Sequence, residues 1–376
     1  MTSADTPHFI PGIELSRRFY EEAVRPALDR RFPGLPHAAA HIGWGSDVLG
    51  FDTEMSTDHG WGPSVKLFLR DEDAKLAEDI REALRHELPR EFYGYPVGTF
   101  EAPGEPGTRL LQWGVEDDGP VEHLVETTTV RKFFRERLAY DVDKPLEVAD
   151  WLTISSQTLR EVTTGAVHHD SVGELMELRE RFAYYPFDVW LFLLASGWQR
   201  IGQEQHLMPR AGYVGDELGS ALMGSRLVRD VMSLCFLMEK EYAPYPKWFG
   251  TAFKRLACAE ELWPALWRAQ IAETWQEREA ALCEAYEQIG HMHNALGITE
   301  NVPVTITAFH GRPFRVIQES VFIKALVDRI SDPEVKRIAT QRNIDHVLIG
   351  SIDQFSDSTD LRAEPMWRAT LKGLYT

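Results

Sequence analysis

The chain has 376 residues, with 58 acidic against 40 basic ones, a formal charge of −18, and a composition of 44% hydrophobic and 26% charged residues. This is the make-up of a folded globular protein of about two to three domains, which excludes disorder on the scale of the whole chain. So negative a surface repels phosphate polymers and anionic lipid, and nucleic acid is disfavoured as a partner.

Residues 1–9 lack a basic segment followed by an apolar core, so no secretory signal is expected. The most apolar stretch, 187–198, contains Asp188 and falls short of the roughly 20 apolar residues of a membrane helix. Cys235, Cys258 and Cys283 show none of the close spacing of a thiolate zinc site or a redox pair. A reducing cytoplasm is the expected compartment, with no membrane partner.

Ile13, Leu15, Phe19, Tyr20, Val24 and Leu28 recur at helical spacing, predicting a helix over 13–32 that Pro33 and Pro36 end. Residues 38–44 and 64–69 read as strands, the second alternating Val65, Leu67 and Leu69. A helix over about 72–88 carries Leu76, Ile80, Leu84 and Leu88 before Pro89. The Gly- and Pro-rich stretch 94–120 reads as loop or hairpin, and 122–130 as a third strand. Beyond it the pattern turns to long helical segments near 187–206, 217–242, 249–258 and 264–295, with Ser171 and Glu174 spaced as a capping box at the start of another. The expected fold is α+β: a mixed-sheet domain over 1–145, a helical bundle over 146–297, and a small mixed extension over 298–376 packed on the bundle.

Chemistry concentrates between the first two strands, in Gly43-Trp44-Gly45-Ser46-Asp47-Val48-Leu49-Gly50-Phe51-Asp52 and on through Glu54 to Asp58-His59-Gly60-Trp61-Gly62. A Gly-Ser pair at a strand end leaves backbone N–H groups and a hydroxyl to hold a phosphate, since glycine permits close approach. Carboxylates up to about a dozen residues later suit Mg²⁺, a hard ion usually bound through one or two carboxylates and phosphate oxygens. The plain alternative, carrying even weight on composition alone, is a glycine-rich turn with solvated aspartates.

These residues resemble the DUF4037 family, placed within the nucleotidyltransferase superfamily with aminoglycoside nucleotidyltransferases and DNA polymerase β-like enzymes. The resemblance extends to Asp150-Trp151-Leu152, Tyr184-Tyr185-Pro186, Gly215-Asp216-Glu217, Tyr242-Ala243-Pro244-Tyr245-Pro246-Lys247-Trp248-Phe249, His293-Asn294 and Gly350-Ser351-Ile352-Asp353-Gln354. It implies a nucleotidyltransferase-like mixed sheet in which Gly45 and Ser46 hold phosphate and Asp58 is a metal-binding, catalytic carboxylate. The superfamily's Asp-x-Asp pair then expects a second carboxylate where this chain has Gly60. Asp52 and Glu54 are the nearest substitutes, and Glu126 is the candidate third carboxylate, against a plain reading as a solvated strand residue.

In the helical portion Arg226 and Arg229, one turn apart, and Lys247 are the cations expected on a triphosphate, with surface ion pairing as the alternative. Asp216 or Glu217 could serve as general base, helix capping being the competing role for Asp216. His168-His169-Asp170 reads as a polar turn rather than a zinc site, because adjacent side chains on a regular element point apart, and His291-Met292-His293 reads as a helix end where capping or packing is favoured. The acidic run from Asp353 to Asp360 reads as a hydrogen-bonded loop, and the eleven tryptophans as mostly core. The implied function is transfer of a nucleoside monophosphate from a nucleoside triphosphate, ATP favoured, to a hydroxyl of a small-molecule acceptor with Mg²⁺ or Mn²⁺. The alternative is a catalytically impaired nucleotide-binding or protein-interaction module, because of Gly60.

Overall fold

The computed structural model describes residues 8–58, 60–102, 110–113, 119–340 and 348–376, with backbone alone at 58, 99–102 and 110–113. The chain divides into two compact units, 1–145 with 158–183, and 146–157 with 184–376. A single cut near 145 was expected; instead the chain returns to the first unit because a later strand pairs with its sheet.

The first unit opens with α1 (Gly12–Phe19) and α2 (Arg25–Arg31), joined by a π turn over Tyr20–Val24. Pro26 lacks the N–H that would bond back one turn, so the helix widens at that point instead of continuing regularly. Of the residues whose spacing predicted this helix, Leu15, Phe19, Tyr20, Val24 and Leu28 are buried and Ile13 is half-buried. Strands β1 (His37–His41) and β2 (Ser64–Leu69) follow, then α3 (Ala77–Glu87). The stretch expected as loop or hairpin holds two hairpins, β3 (Glu91–Phe92) with β4 (Tyr95–Pro96), and β5 (Thr99–Ala102) with β6 (Leu110–Trp113). Strand β7 (Leu124–Thr129) leads into α4 (Val130–Leu138). The chain next gives α5 (Val148–Thr153) to the second unit, then continues through α6 (Ser156–Thr163), β8 (Ala166–Asp170) and α7 (Glu174–Arg181).

The central sheet is mixed, in the order β7-β2-β1-β8, with β2 parallel to β7 and β1 antiparallel to both its neighbours. Val65, Leu67 and Leu69 join Ala39 and the apolar faces of α1, α2 and α3 in one core. Alternation sends Lys66 and Phe68 to the other face, where the Phe68 ring meets Phe133 of α4 edge-on at 5.4 Å.

Strand β8 departs from regular alternation. Ala39 pairs with His169 and Ala40 with Val167, so His168 is an inserted bulge residue. The bulge turns both histidines to one face, their rings 6.3 and 6.1 Å from that of Tyr20. The expectation that they point apart fails for that reason. His168 Nε2 lies 3.1 Å from Ser16 Oγ, and Tyr20 Oη 2.9 Å from His37 Nε2. The expected Ser171–Glu174 capping box is also absent. Ser171 Oγ bonds the backbone of His37 across the sheet, and Asp170 caps α7 instead, accepting from the N–H groups of Gly173 and Met176.

The second unit is built on α8 (Phe187–Glu204), α9 (Leu207–Tyr213), α10 (Glu217–Met238), α11 (Pro246–Phe253), α12 (Ala259–Ile271) and α13 (Trp275–Ala295). The single helix expected over 264–295 is two, because Thr274 and Glu277 form a capping box that starts α13 afresh. Residues 298–376 belong to this unit: a short hairpin of β9 (Ile306–Ala308) and β10 (Arg315–Ile317) precedes α14 (Glu319–Arg329), whose Phe322 stacks on Trp198 of α8 at 4.1 Å. A buried ion pair, Asp150 to Arg368 at 2.6 Å, ties α5 to the last helical turn. Trp61, Trp151, Trp190 and Trp198 are buried, whereas Trp44, Trp267 and Trp367 are exposed. The cysteines are free thiols, and burial pushes Cys235 up. Among the described residues no helix is long and apolar enough to cross a membrane.

Burial lowers the His168 imidazole to about 4 from the usual 6.5, with His41 as a second, repulsive cause. The folded state therefore binds fewer protons than the unfolded chain, so stability is whole above about pH 6.5 and falls as pH drops towards 4. A loss on the order of 2 kcal/mol is expected across that window, allowing for partial solvent access. Urea titrations of the wild type and His168→Gln at pH 7 and 4.5 measure it; equal acid sensitivity in the two would refute the assignment.

Candidate functional site

Strand β1 ends at His41 and runs into a turn in which Gly43 and Gly45 take positive φ, 113° and 139°. The turn closes on itself through Leu49 N–H to Gly45 O and Phe51 N–H to Ser46 O. Buried Asp47 fastens it to the strand, its Oδ2 2.7 Å from His41 Nε2. Glycine is required at 45, because a Cβ there would lie 2.2 Å from Asp47 Oδ1. Among the described residues the N–H groups of Trp44, Gly45 and Ser46 and the Ser46 hydroxyl make no hydrogen bond, and Trp44 stands 70% exposed beside them. Unpaired backbone donors in a glycine-rich turn are suited to an anion.

Lys66 and Glu126, directly opposite in the β2–β7 register, form an ion pair at this end of the sheet. The lysine stem passes the turn, 3.4 Å from where a Cβ on Gly43 would sit. Lys66 is the cation that sequence reasoning missed, although the alternation of Val65, Leu67 and Leu69 already put position 66 on the opposite face.

The other acidic candidates are placed differently. Asp52 Oδ2 accepts the Gly12 N–H at 2.7 Å and the Trp61 indole N–H at 3.0 Å, so it anchors the start of α1. Glu54 is exposed at the head of a 3₁₀ turn, Glu54–Asp58, whose last residue is Asp58; the Asp58 side chain, like His59, lies outside the described residues. Gly60 is exposed with φ 64°, and a Cβ there would have Trp44 as its nearest neighbour at 4.0 Å. Among the described residues no group of three or more His, Cys, Asp or Glu side chains is arranged to hold a metal ion.

The remaining candidates belong to the second unit. Asp216 caps α10, accepting from Gly219 N–H at 2.8 Å, which is the structural alternative considered for it. Glu217 Oε1 accepts the Trp275 N–H at 3.2 Å, joining α10 to the start of α13. Lys247 is exposed on α11 with its ammonium 5.0 Å above the Trp248 ring. Arg226 pairs with Glu204 at 2.6 Å and Arg229 with Asp357. Both arginines border a cavity of ≈ 380 Å³ formed within this unit, together with Arg200 and Asp230. Burial pushes the Asp230 carboxyl up to about 6. His293 is buried against Trp198 and Phe322 and held at about 4 by desolvation, a core histidine rather than a ligand.

Residues 151–249 match the family model described as Domain of unknown function (DUF4037). A solved structure of a nucleotidyltransferase-like protein from Exiguobacterium sibiricum 255-15 aligns with 79% of this chain and 97% of its own, at 9% identity and a TM-score of 0.30. A score that low supports no inference about chemistry. Comparison with curated proteins gives no match.

If Asp52 is an anchor, Asp52→Ala leaves two buried donors unpaired and lowers the unfolding free energy by about 2–4 kcal/mol. Chemical denaturation checks this, and a variant as stable as the wild type would return Asp52 to the ligand candidates.

Proposed function

We propose that this chain, which carries a DUF4037 domain over residues 151–249, is a nucleotide-handling protein whose first unit works as a nucleotidyltransferase scaffold. In this reading it takes a nucleoside triphosphate, ATP first among the candidates, and transfers the nucleoside monophosphate to a hydroxyl of a small molecule. One observation supports it above the others. A turn with unpaired N–H groups and a serine hydroxyl leaves β1 at the sheet end where β2 and β7 carry the Lys66–Glu126 pair.

The phosphates would lie on the N–H groups of Trp44, Gly45 and Ser46, with the Ser46 hydroxyl as a further donor. Lys66, on a neighbouring strand, supplies a positive charge within reach of the same turn, and exchange of its partner from Glu126 to a phosphate oxygen would spread the triphosphate charge. The contribution is positioning and electrostatics, which is what phosphoryl chemistry asks of a protein.

The resemblance implies Mg²⁺ or Mn²⁺, yet the described carboxylates do not fit such a site. Asp47 and Asp52 are committed to His41, Gly12 and Trp61, Glu126 is balanced by Lys66, Gly60 has no side chain, and exposed Glu54 belongs to no group of three described ligands. No step is assigned to the ion. The same facts favour a second reading, nucleotide binding without turnover.

Calorimetry with ATP, GTP, CTP and UTP, followed by pyrophosphate release from the radiolabelled nucleotides with Mg²⁺ and a panel of hydroxyl acceptors, separates the two. Binding with release supports transfer, binding alone supports the second reading, and neither overturns both. Lys66→Ala is expected to weaken nucleotide binding about tenfold, the worth of one charge-assisted hydrogen bond. Gly60→Asp has steric room and costs about 1–2 kcal/mol for a left-handed aspartate. A rise in turnover in that variant would identify the missing carboxylate as the limit on the native site.

A further inference from the structure

The second unit holds a cavity of ≈ 380 Å³, enclosed by α8, α10, the segment 242–249 and residues 351–362. That volume lies in the range of small-molecule sites, roughly 300–1,000 Å³. One wall is aromatic and prolyl, with Tyr185, Phe236, Tyr242, Pro244, Phe249 and Phe355. Such a surface offers broad apolar area to a flat ring at little conformational cost.

The polar lining is divided into two kinds. Asp353 is fully engaged, taking the Arg362 guanidinium at 2.5 Å and the Ser156 N–H at 2.7 Å, so this pair braces the wall. Arg200 and Asp230 are not so matched. Their closest approach is 3.7 Å, beyond hydrogen-bond distance, and both Arg200 Nε and Asp230 Oδ2 are buried with no hydrogen-bond partner. Buried polar atoms in a native protein are normally satisfied, so Arg200, which bonds Gln203 at 3.0 Å through another nitrogen, and Asp230 are two cavity-lining residues with incomplete hydrogen bonding.

At the border stand Arg226 and Arg229, one turn apart on α10 and each held only by a carboxylate on a partly exposed pair. The Arg229–Asp357 pair is exposed and contributes little, about 0–1 kcal/mol, so an incoming anion can displace it at small cost, whereas Arg226 keeps its largely buried Glu204 partner and turns its remaining guanidinium donors to the anion. Arginine forks are well suited to phosphate and carboxylate.

We propose that this cavity binds a small molecule with a flat aromatic or heterocyclic body and one phosphate or carboxylate group. The body packs on the aromatic wall, its polar edge meets Arg200 and Asp230, and the anion meets Arg226 and Arg229. The proposal stands whether or not the first unit binds nucleotides.

The full chain is titrated calorimetrically with phenyl phosphate, benzoate, phenol and inorganic phosphate. Phenyl phosphate or benzoate is expected to saturate one site, whichever is tighter identifying the anion, while phenol and inorganic phosphate bind at least about tenfold more weakly. Arg226→Gln combined with Arg229→Gln should cost about tenfold or more, both positions being exposed enough to leave folding intact. Ser233→Trp, which fills the cavity from α10, should abolish aromatic-anion binding and leave ATP binding unchanged. Failure of both aromatic anions to saturate, equal affinity for inorganic phosphate, or undiminished binding in the double glutamine variant would overturn the proposal. Thermal melts of each variant exclude loss of folding as the cause.

Discussion

The carboxylate of Asp52 holds the first unit in register. By accepting both the first N–H of α1 and the indole N–H of Trp61, it ties the middle of the connection between β1 and β2, and its last turn at Trp61, to the start of the first helix. The Gly45–Ser46 turn can then stand open, because the residues that shape it are fixed from behind: Asp47 by His41, and α1 packed so closely that a Cβ on Gly12 would lie 2.5 Å from that of Asp47. A half-buried charged acceptor serving donors of two buried residues, Gly12 and Trp61, is a strong constraint, since losing it would leave both donors without their partner.

That use of Asp52 changes the meaning of the acid-rich motif. A run of carboxylates after a Gly-Ser turn suggests ion binding when every acid is counted as available. In the folded chain two of them, Asp47 and Asp52, work on the inside, and Glu126 faces a lysine rather than open space. Lys66 places an ammonium group beside the turn, paired with Glu126. The net charge of −18 therefore does not describe the turn, whose immediate surroundings combine open N–H donors with an ammonium group.

In the second unit, charged residues of similar type are paired to different degrees. Asp353 with Arg362, and Asp150 with Arg368, are close pairs that fasten late chain segments onto earlier helices. Arg200 and Asp230 have the same chemistry without the closure, and burial of an incompletely paired carboxylate is what lifts Asp230 towards neutrality. Asp216 and Glu217, by contrast, are spent on the start of α10 and its junction with α13.

Much of the architecture was legible in the sequence because it rests on periodicity. The spacing of Leu15, Phe19, Val24 and Leu28 marked the first helix, alternation over 64–69 marked β2, and the long apolar segments marked α8 and α10, since a face that must be buried repeats with its element. The Gly-Ser turn was legible for a similar local reason. What only the tertiary structure decided is partnership: the bulge that turns His168 and His169 to one side, the capture of Ser171 by β1, the pairing of Lys66 with Glu126, and the cavity shared by residues as far apart as Arg200 and Arg362. Sequence fixes which face a side chain takes along its own element; which of its polar atoms are left free depends on groups brought in from distant segments, and that is set by packing.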